Sequence, residues 1–166
     1  MQRFPDFSPR ELLRKLDEGR VDFVVIGGIA AIARGSAQFT QDLDISYAPD
    51  EQNLERLGRV LVDLGARLRG VTDDVPFIPD GSTLRRTRVL TLETPIGLIA
   101  LLAQPDGAPT YDHLRERASP EVVAGVKVRI ASLEDLIAMK KAAGRPKDLV
   151  AVEELEAIQR LQRERG

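Results

Sequence analysis

A chain of 166 residues, 43% hydrophobic and 30% charged with Gly 13 and Pro 10, is long enough for one domain with a sizeable core and too short for two ordinary ones, and its composition excludes collagen-like, low-complexity and disordered chains. A formal net charge of -2 gives no whole-molecule attraction to nucleic acid, so any basic surface has to be local. Cys 0 and His 1 remove disulfides, thiolate nucleophiles and Cys/His zinc sites, and leave catalysis to carboxylates, lysines, hydroxyls or hard metals. The one histidine, His113, reads as a surface residue. No apolar run approaches the roughly 20 residues that cross a bilayer, and MQRFPDFSPREL lacks the apolar stretch of a secretory signal, so the expectation is a cytoplasmic protein with no membrane partner.

Ser8-Pro9-Arg10-Glu11 carries the signals of a helix start, with Leu12, Leu13 and Leu16 on one face and Gly19 as a stop. Val21 to Ile26 is a compact apolar run ending at Gly27-Gly28, which predicts a buried strand entering a tight turn. A helix over Ile29 to Arg34 follows, then a strand over Asp42 to Tyr47 that alternates polar and apolar positions. Asp50 caps a helix in which Leu54, Leu57, Leu61 and Leu64 recur at helical spacing before Gly65. Ala66 to Val71 is expected as a strand and Asp73 to Ser82 as a loop. Leu84 to Leu92 and Leu98 to Leu102 are expected as two strands around a Thr94-Pro95-Ile96-Gly97 turn. Arg85, Arg86 and Arg88 would then make that first strand basic, either lining a groove for RNA or a triphosphate tail or guarding an exposed edge. A helix near Tyr111 to Ala118, a strand over Val126 to Ile130, a helix capped by Ser132 and ending at Gly144, and a final helix carrying Leu149, Val152, Leu155, Ile158 and Leu161 complete a single mixed layer structure.

The informative segment is VVIGGIAAIARGSAQFTQDLDIS. Gly27-Gly28 at a strand end lets backbone approach a ligand closely, and the helix behind it directs free N–H groups at the same spot, which suits phosphate. Taken alone, the glycine pair is also ordinary turn punctuation. Asp42 and Asp44, at i and i+2 of a strand, place two carboxylates on one face and leave Leu43 and Ile45 for the core. Carboxylates so close repel unless a cation lies between them, and hard oxygen ligands select Mg²⁺ or Mn²⁺. A phosphate cradle beside such a pair implies phosphoryl or nucleotidyl transfer.

Ile26-Gly27-Gly28, the thirteen residues from Ile29 to Gln41, and Asp42-Leu43-Asp44-Ile45 together resemble the signature of the nucleotidyltransferase (polymerase-β-like) superfamily. The segment TPIGLIALLA and the late helix with Lys140 leading to GRPKDL extend the resemblance over nearly the whole chain, toward the small bacterial subgroup related to AbiEii-type toxin nucleotidyltransferases. The resemblance implies an α/β fold with a small mixed sheet, helices packed on it and a helical C-terminal segment, in one domain over residues 1–166. It implies Mg²⁺ or Mn²⁺ on Asp42 and Asp44, an NTP held by Gly27, Gly28, Thr40, Lys140, Arg145 and Lys147 with Asp148 in support, and transfer of a nucleoside monophosphate to an RNA, protein or small-molecule acceptor. An antitoxin partner follows from the same subgroup.

Two positions depart from the pattern. The family places a third carboxylate near the position of Ala100, and alanine binds no metal. An arginine is usual where Gln38 stands, two residues before Thr40. Glu93, Asp73 or Asp74 are the acids available as substitutes. These departures motivate a second expectation, a degenerate member that binds a nucleotide or partner without chemistry. A dinucleotide-binding turn is a weaker third, because the glycines are adjacent and two acids follow instead of one.

Overall fold

The structure, a computed structural model, describes residues 7–70 and 78–166. Its centre is a mixed sheet of seven strands: β1 (Phe23–Ile26), β2 (Asp42–Tyr47), β3 (Arg67–Leu68), β4 (Val89–Thr94), β5 (Gly97–Leu102), β6 (Ser119–Val123) and β7 (Val126–Ile130). The spatial order is β3-β4-β5-β2-β1-β7-β6. β1 runs antiparallel to β2 and parallel to β7, while β2 runs parallel to β5, so the two strands flanking the glycine pair sit at the middle of the sheet.

Helices α1 (Pro9–Glu18), α2 (Gly27–Ala33), α3 (Glu51–Asp63), α4 (Gly81–Arg86), α5 (Tyr111–Arg117), α6 (Leu133–Ala143) and α7 (Pro146–Arg165) surround it. Most starts and stops follow local chemistry. Ser8, Asp50 and Ser132 each accept a hydrogen bond from the backbone N–H three residues on, and Gly144 closes α6 at φ 67 in the left-handed region, where side chains are strained. Leu12, Leu13, Leu16, Leu43, Ile45, Leu57, Leu61, Ile99 and Leu101 are fully buried in one continuous core. Burying a leucine or isoleucine side chain contributes about 1.5–3 kcal/mol, so this set holds the central strands in register. No described helix is long and apolar enough to cross a membrane.

Several expectations need correction. Leu84 to Arg88 is not strand: Asp80 accepts from the Thr83 N–H and starts α4 over Gly81–Arg86, so the expected loop ends at Asp80 and the strand begins only at Val89. Arg85 and Arg86 therefore sit on a helix, where Arg85 pairs with Glu51 at 2.6 Å, and no basic strand exists there. β6 lies outside the expected elements, and it carries Pro120, which has no N–H to donate. It is an edge strand hydrogen-bonded only to β7, a place that tolerates a missing donor. The helix after the glycine strand begins at Gly27 itself, two residues before the expected start. The strand expected over Ala66 to Val71 is confined to Arg67–Leu68 among the described residues; Val71, Asp73 and Asp74 lie outside them.

Candidate active site

β2 presents the two acids as the alternation requires. Leu43 and Ile45 are buried in the core, whereas Asp42 and Asp44 are partly exposed on the opposite face. The strand register extends a row across the sheet from Asp44: Ile26 on β1, Asp44 on β2, Ala100 on β5 and Thr91 on β4. All four line one cavity of about 760 Å³.

Gly27 and Gly28 close the cavity behind the acids. Gly27 has φ 68, and a Cβ on it would overlap the Asp44 carboxylate; a Cβ on Gly28 would come within 2.7 Å of the Thr40 Cβ. Both positions need glycine because Asp44 and Thr40 occupy the space a side chain would take. Thr40 in turn donates its hydroxyl to the Asp42 carboxylate at 3.2 Å. The N-cap of α2, Ile26, offers no side-chain acceptor, so the first-turn N–H groups of this helix stay available beside the acids.

The opposite wall comes from α6 and α7. Leu136, Met139, Lys140 and Ala143 recur at i, i+3, i+4 and i+7 on α6, one helical face turned to the cavity. Asp148, buried at 1% exposure, gathers the cations: Arg145 Nε donates to it at 2.6 Å and Lys140 Nζ at 3.4 Å. Lys147 lines the same wall. Thus Gly27, Gly28, Gln38, Thr40, Asp42, Asp44, Ala100, Lys140, Arg145, Lys147 and Asp148, far apart in sequence, meet in one cavity.

The electrostatics follow from this crowding. Burial, then the negative charge of Asp42, pushes the Asp44 carboxyl up to about 7, while Lys140 pulls it down. Asp148 is held below the usual carboxylate range, chiefly by its hydrogen bond to Arg145. Asp42 and Asp44 are thus a hard-oxygen pair short of positive charge, the donor chemistry that Mg²⁺ or Mn²⁺ fits. No third acid joins them in a group able to hold an ion among the described residues. Ala100 lies directly opposite Asp44 on the neighbouring strand. Glu93 lies in the Asp42 row but two strands away, across from Arg67, and does not line the cavity. His113 is exposed on α5, away from the cavity, and Arg85, Arg86 and Arg88 do not line it.

Some lining residues carry no signature in the sequence. Glu154 of α7 accepts from the Ser36 hydroxyl and from the Ala37 N–H, tying the loop before β2 to the last helix across more than a hundred residues. Asp106 enters from the loop after β5, and Phe39 and Arg69 stand on other parts of the lining. For Phe39 the one signal in the sequence is the scarcity of aromatics, Phe 5 and Tyr 2 in the whole chain.

No family model matches the chain, and no curated protein matches it. Solved structures do. The lincosamide antibiotic adenylyltransferase LnuA in its lincomycin-bound form superposes with a TM-score of 0.60 at 17% identity, covering 92% of this chain and 99% of that one. The fold is a nucleotidyltransferase fold. ANT(2")-Ia in complex with adenylyl-2"-tobramycin matches with a TM-score of 0.55 at 20% identity, over 93% of this chain and 94% of that chain. An antigenic nucleotidyltransferase-like protein from Paracoccidioides brasiliensis gives 0.53 at 19% identity, over 93% and 78%. The mixed sheet expected from the sequence is therefore the sheet of the nucleotidyltransferase fold; the acid pair sits on its central strand β2, and the glycine pair opens α2 directly after the adjacent strand β1.

Proposed function

We propose that the protein is a metal-dependent nucleotidyltransferase that moves a nucleoside monophosphate from an NTP to a small-molecule acceptor. The observation that carries this reading is the facing of Asp42 and Asp44 into one cavity, against Gly27-Gly28 on one side and Lys140 on the other. Asp42 and Asp44 would hold Mg²⁺ or Mn²⁺, which when bound supplies neutralising charge for the triphosphate and its departing pyrophosphate. The N–H groups at Gly27 and Gly28 bind the β and γ phosphates, because only glycine leaves the backbone open there. Thr40 orients the Asp42 carboxylate through its hydroxyl. Lys140, Arg145 and Lys147 place positive charge along the wall facing the acids, with Asp148 fixing the first two. An acceptor oxygen attacks the α phosphorus in line with the departing pyrophosphate, so the acceptor takes the far side of the acids, along Ala100 and Thr91.

The small-molecule acceptor has the support of the fold neighbours, which include proteins solved with lincomycin and with adenylyl-tobramycin. An RNA or protein acceptor, an antitoxin partner and a cytoplasmic location rest on the sequence reading alone. The test is binding and transfer with the four labelled NTPs in Mg²⁺. Replacing both acids, Asp42→Asn with Asp44→Asn, is expected to abolish metal-dependent NTP binding and to lower transfer at least a hundredfold. Undiminished binding and transfer by that variant would reject the assignment.

A second reading has a specific observation behind it. With Ala100 opposite Asp44, the site has two acids where the family pattern has three, which favours nucleotide binding without transfer. Metal-dependent NTP binding with no labelled product from any candidate acceptor would decide for it.

A further inference from the structure

Five aromatic side chains lie within the described residues. Phe23, Tyr47 and Tyr111 are buried, and Phe7 packs partly buried against the core. Phe39 alone is exposed, at 82%, and it alone lines the cavity. The fold makes no use of its ring, yet the chain on either side is tightly held. Ser36 and Ala37 are tied to Glu154, the Gln38 N–H donates to the Ser36 hydroxyl at 3.1 Å, and Thr40 bonds Asp42.

We infer that Phe39 is the platform on which the base of the bound nucleotide stacks, an inference that rests on the nucleotide-binding reading above. The place of Phe39 in the chain selects the occupant. Its neighbour Thr40 packs against Gly28 and bonds Asp42, so Phe39 lines the cavity one residue away from the part formed by glycine backbone and acids. A nucleotide anchored there by its phosphates has its base within one nucleotide's length of the ring. The acceptor lies toward Ala100 and Thr91, on the other side of Asp44. A phenyl face stacks on any base, so this contact supplies affinity without choosing among the four.

The chain contains Trp 0, so Phe39→Trp introduces a single tryptophan at the proposed contact. Its fluorescence is followed while ATP, GTP, CTP or UTP, and separately tripolyphosphate, is added with Mg²⁺. A saturable change with at least one nucleotide and none with tripolyphosphate is expected. Phe39→Ala should weaken binding of that nucleotide to the protein by roughly 5- to 100-fold by calorimetry, the loss of one base–aromatic stack, and leave tripolyphosphate binding unchanged. If Phe39→Ala weakens both ligands alike or neither, or the tryptophan is silent at nucleotide concentrations that saturate by calorimetry, the stacking role is overturned. If the unsubstituted protein binds neither nucleotide nor tripolyphosphate, the nucleotide reading itself falls.

Discussion

Ala100 stands directly opposite Asp44 across the parallel pairing of β5 with β2, on the face that carries Asp42. A side chain there points into the same cavity as the two acids, and its methyl group is nearly buried beside them. An added carboxylate at this position stands beside Asp44, which burial and Asp42 already hold protonated more strongly than Lys140 can offset, so it raises repulsion in the metal-free protein and the number of oxygen ligands in the metal-bound one. Ala100→Asp is therefore expected to lower stability without metal and to tighten Mn²⁺ binding by about tenfold or more, equivalent to about 1.4 kcal/mol. Mn²⁺ titration followed by electron paramagnetic resonance measures this. Unchanged affinity in a folded variant would show that position 100 does not reach the ion.

Gly27 illustrates a different constraint, in which one residue's conformation and another's position are linked. Its φ of 68 disfavours any side chain, and the Asp44 carboxylate fills the space where a Cβ would go. Gly27→Ala is expected to destabilise by about 2–4 kcal/mol, combining backbone strain with the displacement of Asp44. In the double variant with Asp44→Ala the overlap with the carboxylate is relieved, while the backbone strain and the 2.8 Å approach to the Cβ of residue 44 remain. The double variant is expected to be less destabilised than the sum of the two single variants by about 1 kcal/mol or more in urea denaturation, and additivity would show that the two residues do not share that space.

The central strands and the glycine–acid pairing were legible because their signals are local. An apolar run ending in two glycines, and acids alternating with Leu43 and Ile45, have one structural solution each. α4 was misread because three residues, Leu84, Arg85 and Arg86, fit a strand edge as well as a helix turn; the deciding signal was the cap at Asp80, four residues before Leu84. The bond from Ser36 to Glu154 could not be read at all. It joins segments brought together by the packing of α7 on α6, and neither partner lies in a motif. Asp148 was partly visible as a residue near Lys140 in sequence, but its burial depends on the same helix pair.

Asp148 is the residue through which α6 and α7 fix the cationic wall. Its carboxylate is almost wholly buried, while Lys140 at 31% and Arg145 at 59% side-chain exposure keep access to water. Removing the acid leaves cations that can rehydrate, so the stability cost should be moderate: about 1–3 kcal/mol for Asp148→Ala, from lost hydrogen bonds and a weakened start of α7. The larger consequence is positional. Lys140 and Arg145 lose their shared anchor, and affinity for Mg²⁺-NTP should fall by about tenfold. Asp148→Asn can keep a bond from the Arg145 N–H and should recover stability more than affinity. Calorimetry alongside thermal denaturation separates the two, and equal recovery of both would argue against a positioning role.

The raised carboxyl of Asp44 makes a statement about stability that the acid pair alone does not. Its folded-state value of about 7 lies above the ordinary 3.8, so the folded protein holds the proton more tightly than the unfolded chain. The resulting stability is fully present below about pH 4 and is lost as pH rises to about 7, where Asp44 must ionise beside Asp42. Depressed carboxyls such as Asp148 act in the opposite sense at the acid end, so the whole-protein curve mixes the two. Subtracting the curve of Asp44→Asn, which is neutral throughout, isolates the Asp44 contribution. Without divalent metal, the wild-type stability relative to Asp44→Asn should decline by up to a few kcal/mol between pH 4 and 8, at about 1.4 kcal/mol per pKa unit. Mg²⁺ should reverse that decline at pH 8 and do little at pH 5, where a proton already occupies the site. Urea denaturation at the two pH values, with and without Mg²⁺, tests it: a difference curve that is flat in pH, or a Mg²⁺ effect equal at both, would mean that Asp44 is not the group squeezed between burial and its neighbour.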